Sequence, residues 1–232
     1  MTKCRVLCLH GYRQDAIKFR GRIAALRRTF KSSVEFVCLD APFPVPDASI
    51  LEEKHINSKN TNEQVNQLKW FDFIHDTQSE HYLLERVEES LEYVANFIKK
   101  EGPFDGILGF SQGGTMASLI LHKQVRDSEF PFAFRFAFFV SAGACYDQKY
   151  MINVKVDLPS LHVIGETDAV VEKKSSLALK DRFIDAKVLM HPGGHYIPTN
   201  KVVKDAFRAF FEELQQSDQN KKEVGTALCN DC

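Results

Sequence analysis

The sequence predicts an α/β fold: a mostly parallel, doubly wound sheet of about six core strands, with flanking helices and a small lid segment. Short apolar runs recur along the 232 residues, and most of them are separated by stretches of helical periodicity. This length suits one large domain and is short for two. We expect the domain to span residues 1–216, followed by a polar, aperiodic and disordered tail over 217–232.

The core strands are predicted at six apolar runs. Hydrophobicity is nearly continuous within each run, which is typical of parallel strands that are buried on both faces. The runs lie at residues 5–10, 34–39, 106–110, 134–141, 160–165 and 187–191.

Three helices are marked by apolar residues at spacings of three and four. The stripes are Leu84, Val87, Leu91, Val94 and Ile98 in the first helix, Met116, Ala117, Ile120 and Leu121 in the second, and Val203, Phe207, Phe210 and Leu214 in the third. Thr77 and Glu80 form a capping-box pattern before the first helix, and Gly102-Pro103 ends it. The second helix is predicted to start at Gly113, and the third to span about 199–216.

Residues 43–80 are a candidate lid or cap. The stretch 42–69 begins with several prolines and continues as a polar segment rich in Asn, Lys and Glu. It follows a predicted strand and is longer than an ordinary connection, so we expect it to serve a function rather than only to link two elements.

Composition and charge exclude several kinds of partner. The 30 Lys and Arg residues nearly balance the 31 Asp and Glu residues, so neither nucleic acid nor an anionic membrane surface is expected. The apolar run near the N-terminus is too short for a signal peptide or a membrane span. Six cysteines without a signal indicate reduced thiols, and the Cys-x-x-Cys at 229–232 is expected to be inert. We expect a protein of the cytoplasm, with access to the nucleus and no integral membrane association; nothing in the sequence indicates an oligomeric state.

The sharpest functional signal is Gly109-Phe110-Ser111-Gln112-Gly113, a Gly-x-Ser-x-Gly motif between a predicted strand and a predicted helix. A serine hydroxyl is a weak nucleophile, and it needs exposure, an adjacent base and N–H donors for the oxyanion. A strained strand-to-helix turn supplies exposure and donors, because a helix N-terminus presents free amides. This context predicts an α/β-hydrolase fold with Ser111 as the nucleophile.

Neither a phosphate site nor a metal site fits the sequence. Gly109 and Gly114 satisfy Gly-x-x-x-x-Gly, but Thr115-Met116 follows where a phosphate loop requires lysine. His75 and His81 have no cysteine or acidic residue at metal-ligand spacing. We therefore expect no cofactor and no metal.

The acid and the base are predicted downstream of the serine, each in a loop after a strand. Asp168 lies just beyond the run 160–165, and Glu166 is the rival carboxylate one step away. His195 follows two glycines that let the loop turn back over the sheet edge. His191, still on its predicted strand, is the alternative base. We favour Asp168 and His195 by position.

The oxyanion requires two backbone N–H donors. Gln112, directly after the nucleophile, is expected to supply one. The turn after the first strand, 9–14, is expected to supply the other, and Tyr12 is our choice within it. A plain strand-ending turn without a catalytic role remains the alternative for this segment.

Taken together, four segments of this chain resemble one family of known enzymes. The segments are 9–14, 105–113, 158–162 and 193–198, and the likeness covers about residues 3–214. The chain resembles the eukaryotic family of ovarian-cancer-associated serine hydrolases and their fungal relatives. The resemblance implies an α/β-hydrolase with carboxylesterase activity toward esters with long alkyl chains, and it places the family's catalytic residues on Ser111, Asp168 and His195. Phe43 stands where relatives often carry histidine, and Trp70-Phe71 where they often show paired tryptophans.

Aromatic and apolar residues in the predicted loops and lid suggest an apolar substrate channel. The candidate substrate-binding residues are Phe43, Trp70, Phe71, Phe73, Tyr146, Val170 and Ile197. The alternative is that Trp70, Phe71 and Phe73 only pack the lid onto the body of the domain.

Three functions remain open from the sequence. The first is a serine carboxylesterase that forms an acyl-enzyme on Ser111 from a small-molecule ester. The second is a thioesterase or amidase that uses the same triad, since the acyl-enzyme chemistry is shared. The third is a ligand-binding protein that keeps the fold without turnover, against which the intact Ser, Asp and His argue.

Overall fold

The computed structural model describes residues 3–46, 67–75, 82–127, 130–151 and 154–229, with only the backbone described over 221–229. The chain divides into two compact units, Met1–Ile197 and Pro198–Cys232, which are described separately. The single domain expected over residues 1–216 stays a prediction. Among the described residues, no helix combines the length and the apolar character needed to cross a bilayer.

A six-stranded sheet forms the centre of the first unit, and all five of its strand pairs are parallel. In chain order the strands of the unit are β1 (Cys4–Leu9), β2 (Val34–Leu39), β3 (Phe43–Pro44), β4 (Leu68–Lys69), β5 (Asp72–His75), β6 (Tyr82–Glu85), β7 (Gly106–Phe110), β8 (Phe136–Val140), β9 (Ser160–Gly165) and β10 (Ala186–His191). The order across the large sheet is β10-β9-β8-β7-β1-β2, which is doubly wound. All six predicted core strands are confirmed, and their ends differ by at most two residues.

Five described helices belong to this unit: α1 (Ala16–Arg22), α2 (Ala24–Thr29), α3 (Val87–Glu101), α4 (Gln112–Arg126) and α5 (Lys173–Lys180). The main core joins one face of the sheet to α3 and α4, with Leu7, Leu9 and Ile107 on the strands. Side chains alternate along a strand, so Val6 and Cys8 point to the opposite face. Buried Phe19 and Leu26 of α1 and α2 do not belong to the main core cluster.

The start of α3 differs from the prediction. The helix begins at Val87 after Arg86, whose φ is 67°, and the residues before it form strand β6. Leu84 therefore belongs to a strand, because β6 pairs antiparallel with β5 and the Leu84 N–H donates to Asp147 Oδ2 at 2.8 Å. The capping-box residues Thr77 and Glu80 lie outside the described residues. The predicted end at Gly102 is confirmed, where the Gly102 N–H donates to the Ile98 carbonyl oxygen.

The described parts of the candidate lid take part in two small antiparallel ribbons, and the last strand, β6, lies just beyond the lid. Strand β3 pairs with β4, and β5 pairs with β6. Residues 47–66 and 76–81 of the predicted lid lie outside the described residues. A lid function for 43–80 stays a prediction.

Helix α6 (Lys201–Cys229) forms the second unit. Its predicted start near residue 199 agrees with the structure, but the helix continues beyond 216 through most of the segment predicted as a disordered tail. Residues 217–229 contain no proline, and six of them, Gln219, Lys221, Lys222, Glu223, Ala227 and Leu228, are types that favour a helix. The prediction missed this part because a polar helix carries no apolar stripe.

Two buried histidines of the first unit make its stability depend on pH. His162 on β9 lies between the rings of Phe139 and Phe183, and neither ring nitrogen of His122 on α4 has a hydrogen-bond partner among the described residues. Burial lowers the pKa of His162 to about 3 and the pKa of His122 to about 4. Both rings therefore stay neutral in the folded protein at pH values where an unfolded histidine is protonated.

We predict that the free energy of unfolding falls as the pH is lowered from 7 to 5. The unfolded chain protonates each histidine near pH 6.5 and the folded chain does not, so the unfolded state binds more protons in this range. Each of the two histidines should remove about 2 kcal/mol of stability at pH 5. Urea unfolding at both pH values should show a loss that is smaller by about 2 kcal/mol in His162→Gln; an equal loss in wild type and variant would contradict the assignment.

Candidate active site

Ser111 occupies the turn between β7 and α4 in a strained conformation. Its φ is 53° and its ψ is −123°, outside the regions that L-residues favour. The Ser111 N–H donates to the Val140 carbonyl oxygen at 3.0 Å, and its own carbonyl oxygen accepts from the N–H groups of Gly114 and Thr115. These bonds hold the strained residue, and such strain is typical of the serine turn in α/β-hydrolases.

Gly113 allows the first turn of α4 to approach the end of β1. A Cβ atom at this position would lie 2.3 Å from the Leu9 carbonyl oxygen and 2.4 Å from the His10 carbonyl oxygen. Both atoms are backbone, so no rotamer change could relieve the contact. The glycine of the motif thus places the serine turn against the turn that follows β1.

The structure brings Ser111, Asp168 and His195 together at the carboxyl edge of the sheet. His195 Nε2 lies 3.0 Å from Ser111 Oγ, and His195 Nδ1 lies 2.8 Å from Asp168 Oδ2. The imidazole also packs against Phe110, with ring centroids 5.0 Å apart. This arrangement can take a proton from the serine hydroxyl at one ring nitrogen while the other stays bound to a carboxylate.

Asp168 is held as a carboxylate by hydrogen bonds at both oxygens. Oδ1 accepts from the N–H groups of Val170 and Val171, each at 2.9 Å, while Oδ2 binds His195. Burial alone would raise the pKa of Asp168, but the bonds from Val171, His195 and Val170 outweigh it and lower the pKa. The ionised form is the one that can orient the imidazole.

Glu166 and His191, the alternatives for the acid and the base, lie outside the triad. The Glu166 side chain is exposed, and its backbone N–H donates to the His191 carbonyl oxygen. His191 ends β10 and is buried, with Nδ1 accepting from the Gly193 N–H at 3.2 Å. In the described part of the chain neither side chain is bonded to Ser111 or His195.

A buried hydrogen-bond network, which the sequence analysis did not anticipate, surrounds the serine turn. The Gln112 side chain accepts from the Trp70 N–H and donates to the Phe71 carbonyl oxygen, both at 2.9 Å. Trp70 Nε1 donates to the His10 carbonyl oxygen at 2.8 Å, and Ser90 Oγ donates to the Trp70 carbonyl oxygen. The network joins α4, the segment after β4 and the turn after β1. In the sequence, the feature that could have indicated this network is the Gln that directly follows the serine.

His10 extends this network to the end of β2. Its Nδ1 donates to the Gly11 carbonyl oxygen at 2.8 Å, and its Nε2 accepts from the Ala41 N–H at 2.9 Å. Burial lowers the pKa of His10, which keeps the ring neutral and Nε2 able to accept.

The amides of Gln112 and Tyr12 are available as donors. Gln112 is the first residue of α4, where an N–H has no acceptor within the helix. After Tyr12, the Arg13 N–H donates to the Leu68 carbonyl oxygen and the Gln14 N–H to the Gly11 carbonyl oxygen. Within the described residues, no backbone bond occupies the N–H of Tyr12.

The candidate substrate-binding residues fall into two groups. Trp70 and Phe71 have no exposed surface and belong to the core, so they cannot contact a substrate in this conformation. Phe43 is also buried, beneath the Arg86 guanidinium, and Ile197 is nearly buried. Tyr146 and Val170 are 36% and 70% exposed, and the exposed side chain of Phe73 packs on Phe71 and Tyr82. For Trp70 and Phe71, the structure thus favours a role in packing over a role in substrate binding.

A metal site would require several His, Cys, Asp or Glu side chains close together. Across 3–46, 67–75, 82–127, 130–151 and 154–229, no group of three His, Cys, Asp or Glu side chains is placed to hold a metal ion.

Comparison with known sequences identifies close relatives over most of the chain. A family model described as serine hydrolase (FSH1) matches residues 1–207. The protein named Esterase OVCA2 from Homo sapiens is 36% identical over 223 residues, covering 91% of this chain and 97% of the relative. Esterase OVCA2 from Danio rerio is 34% identical over 226 residues, with the same coverage.

Solved structures with the same fold are more distant in sequence. An acyl-protein thioesterase 2 from Zea mays superposes with a TM-score of 0.64 at 19% identity, covering 90% of this chain and 94% of that one. The esterase PE8 gives a TM-score of 0.64 at 20% identity, covering 91% and 93%. At this identity the likeness establishes the α/β-hydrolase fold alone.

We predict that Gly113→Ala destabilises the protein although it lies in a helix. The added methyl group would meet two backbone carbonyl oxygens, and such overpacking costs about 1–3 kcal/mol. Gly21→Ala in α1 is the matched control, because nothing lies within 4 Å of its Cβ and helix propensity should stabilise it by up to about 1 kcal/mol. Urea unfolding of both variants measures the difference; equal effects would contradict the close approach of α4 to the turn after β1.

Proposed function

The chain belongs to the FSH1 serine hydrolase family, and from this premise we propose that it is a carboxylesterase acting through Ser111, His195 and Asp168. The observation that carries the proposal is the continuous chain from Ser111 Oγ to His195 Nε2 and from His195 Nδ1 to Asp168 Oδ2, at 3.0 and 2.8 Å. The substrate is a small-molecule ester of a carboxylic acid.

The reaction begins with attack of Ser111 Oγ on the ester carbonyl carbon, while His195 Nε2 takes the hydroxyl proton. Asp168 stays ionised and stabilises the imidazolium that forms. The imidazolium then protonates the leaving alcohol, and an acyl group remains on Ser111. Water attacks this acyl-enzyme with His195 again as the base, which releases the acid and regenerates the serine.

The negative charge on the carbonyl oxygen is stabilised by the N–H groups of Gln112 and Tyr12. Donors that are fixed before the reaction act without reorganisation, and the loss of one costs about 3–4 kcal/mol in the transition state. Here the first donor is fixed by α4 and the second by the turn after β1. Gly113 and the Trp70 hydrogen bond to His10 hold that turn against α4.

The ester is proposed to carry a long apolar chain. Exposed apolar side chains follow the carboxyl ends of strands near the triad: Tyr12 after β1, Tyr146 after β8, Val170 beside Asp168 and Tyr196 beside His195. Such side chains favour an apolar chain over water by about 25 cal/mol for each Å² they cover. Tyr146, Val170 and Ile197 are the substrate contacts that we retain, whereas Trp70 and Phe71 act as structural support.

We predict that wild-type protein hydrolyses 4-nitrophenyl esters with a kcat/KM that rises with acyl length from two to about ten carbons, because each buried CH₂ contributes about 0.8 kcal/mol. Ser111→Ala should lose at least about 10³-fold in kcat on every ester. Ser141→Ala is the matched control, since Ser141 is buried with a φ of 47° and its hydroxyl has no hydrogen-bond partner in the part of the chain that the structure describes.

Each arm of this experiment has an outcome that counts against the proposal. Equal activity of wild type and Ser111→Ala would exclude Ser111 as the nucleophile. A flat or falling chain-length profile would exclude the apolar channel while leaving the triad in place. Faster turnover of matched thioesters than of oxygen esters, after correction for the leaving group, would assign the site to thioesters instead.

We predict that Trp70→Phe lowers kcat about tenfold and leaves KM nearly unchanged. The change removes the Nε1 bond to the His10 carbonyl oxygen and loosens the turn that carries the Tyr12 donor, and the complete loss of a donor costs about 10²–10³-fold in kcat. Phe183→Leu, a buried aromatic residue outside the network, is the control for general destabilisation. A rise in KM without a fall in kcat would show that Trp70 contributes to substrate binding rather than to the oxyanion turn.

A further inference from the structure

Two cysteines face each other on neighbouring strands of the large sheet. Cys8 and Cys38 are direct partners in the parallel register of β1 and β2, and both are free thiols. Adjacent strands lie about 4.8 Å apart, within the range of about 4.4–6.8 Å that disulfides span between Cα atoms. Because registered partners point to the same face of a sheet, the Cys8 and Cys38 side chains lie side by side, close enough for the two thiols to influence each other.

The two thiols differ in their surroundings. Cys38 is half-buried, and the neighbouring Cys8 thiol together with the charges of Arg27 and Arg20 lowers its pKa against the opposing effects of burial and of the Asp40 charge. Cys8 has no exposed surface, and burial raises its pKa well above the ordinary range. Cys38 is therefore the more acidic thiol of the pair and the one that forms a thiolate more readily. The Cys8 thiol donates to the Val6 carbonyl oxygen, 3.4 Å from the sulfur.

The cations near Cys38 belong to a basic depression beside β2. Arg20 on α1 and Arg27 on α2 line it together with Lys3 and Lys31. In the described part of the chain, these four side chains form no ion pair with an acidic residue, and Glu35 in the same depression is bonded to Arg5 instead. Unpaired cations beside a partly accessible thiol stabilise its thiolate, which is the reactive form.

We propose that Cys38 and Cys8 form a modification site that hydroperoxides oxidise to a disulfide. The Cys38 thiolate attacks one oxygen of hydrogen peroxide, the O–O bond breaks, and hydroxide leaves while a sulfenic acid forms on Cys38. The Cys8 sulfur then attacks the Cys38 sulfur. The S–O bond breaks, and its hydroxyl group leaves as water with the Cys8 proton. The two thiols supply the two electrons that reduce the peroxide, and no further reactant is needed.

The position of the pair connects it to the active site. Cys8 lies two residues before His10, and Cys38 lies three residues before Ala41, whose N–H donates to His10 Nε2 at 2.9 Å. A covalent bond between the two strand ends would alter the spacing that this hydrogen bond requires. The expected effect on turnover rests on the proposed function, whereas the oxidation chemistry does not.

The experiment treats the full-length protein with equimolar hydrogen peroxide and identifies tryptic peptides without reduction. The expected product is a cross-link between peptides 6–13 and 32–54, which contain Cys8 and Cys38 and together lose two hydrogens. In Cys8→Ser, Cys38 should stop at the sulfenic acid and react with dimedone. In Cys38→Ser, Cys8 should remain unmodified at the same dose.

Cys145 is an internal control, because burial raises its pKa to about 11 and its peptide 136–149 should stay reduced. Absence of the cross-link in wild type, or oxidation of Cys145 before Cys38, would overturn the modification site. Oxidised wild type should lose at least fivefold in kcat and regain it with dithiothreitol, while Cys38→Ser should be unaffected by peroxide. A cross-link with unchanged kcat would overturn the connection to the active site, and inactivity of the reduced protein would count against the proposed function alone.

Discussion

The close approach of the first turn of α4 to the carboxyl ends of β7 and β1 is the constraint on which the active site depends. It requires a residue without a side chain at Gly113 and a strained backbone at Ser111. As a result, the Ser111 hydroxyl projects from the sheet edge, and the Gln112 N–H has no acceptor within the helix. In a parallel sheet the carboxyl ends of all strands lie at one edge, so the loops after β9 and β10 deliver Asp168 and His195 to the same place.

Neutral buried groups hold this edge together. His10 is uncharged because burial lowers its pKa, and in that state one ring nitrogen donates while the other accepts. Gln112 contributes its side chain to the segment after β4 and its backbone N–H to the site, so one residue serves both support and the proposed chemistry. Asp168 is the charged member of the triad, and two backbone N–H groups and the imidazole offset the cost of its burial.

Sequence patterns gave correct predictions where a local feature is compatible with only one kind of structure. The six core strands were predictable because strands buried on both faces must be apolar throughout. The choice of Asp168 over Glu166 rested on loop position alone and stays a prediction, which the Val170 and Val171 N–H bonds to the Asp168 carboxylate and the exposure of Glu166 favour. The patterns failed for β6, because pairing with β5 satisfies backbone groups that a continued helix would otherwise have used.

The sequence by itself determined the sheet, the serine turn and the identity of the residues that could serve as acid and base, because each of these depends on chemistry or periodicity within a short segment. Only the tertiary structure decided that Trp70 is buried against His10 rather than exposed to a ligand, and that Cys8 faces Cys38. Such contacts join residues that are 30 to 60 positions apart. Their partners are set by strand order and register, which no local pattern encodes.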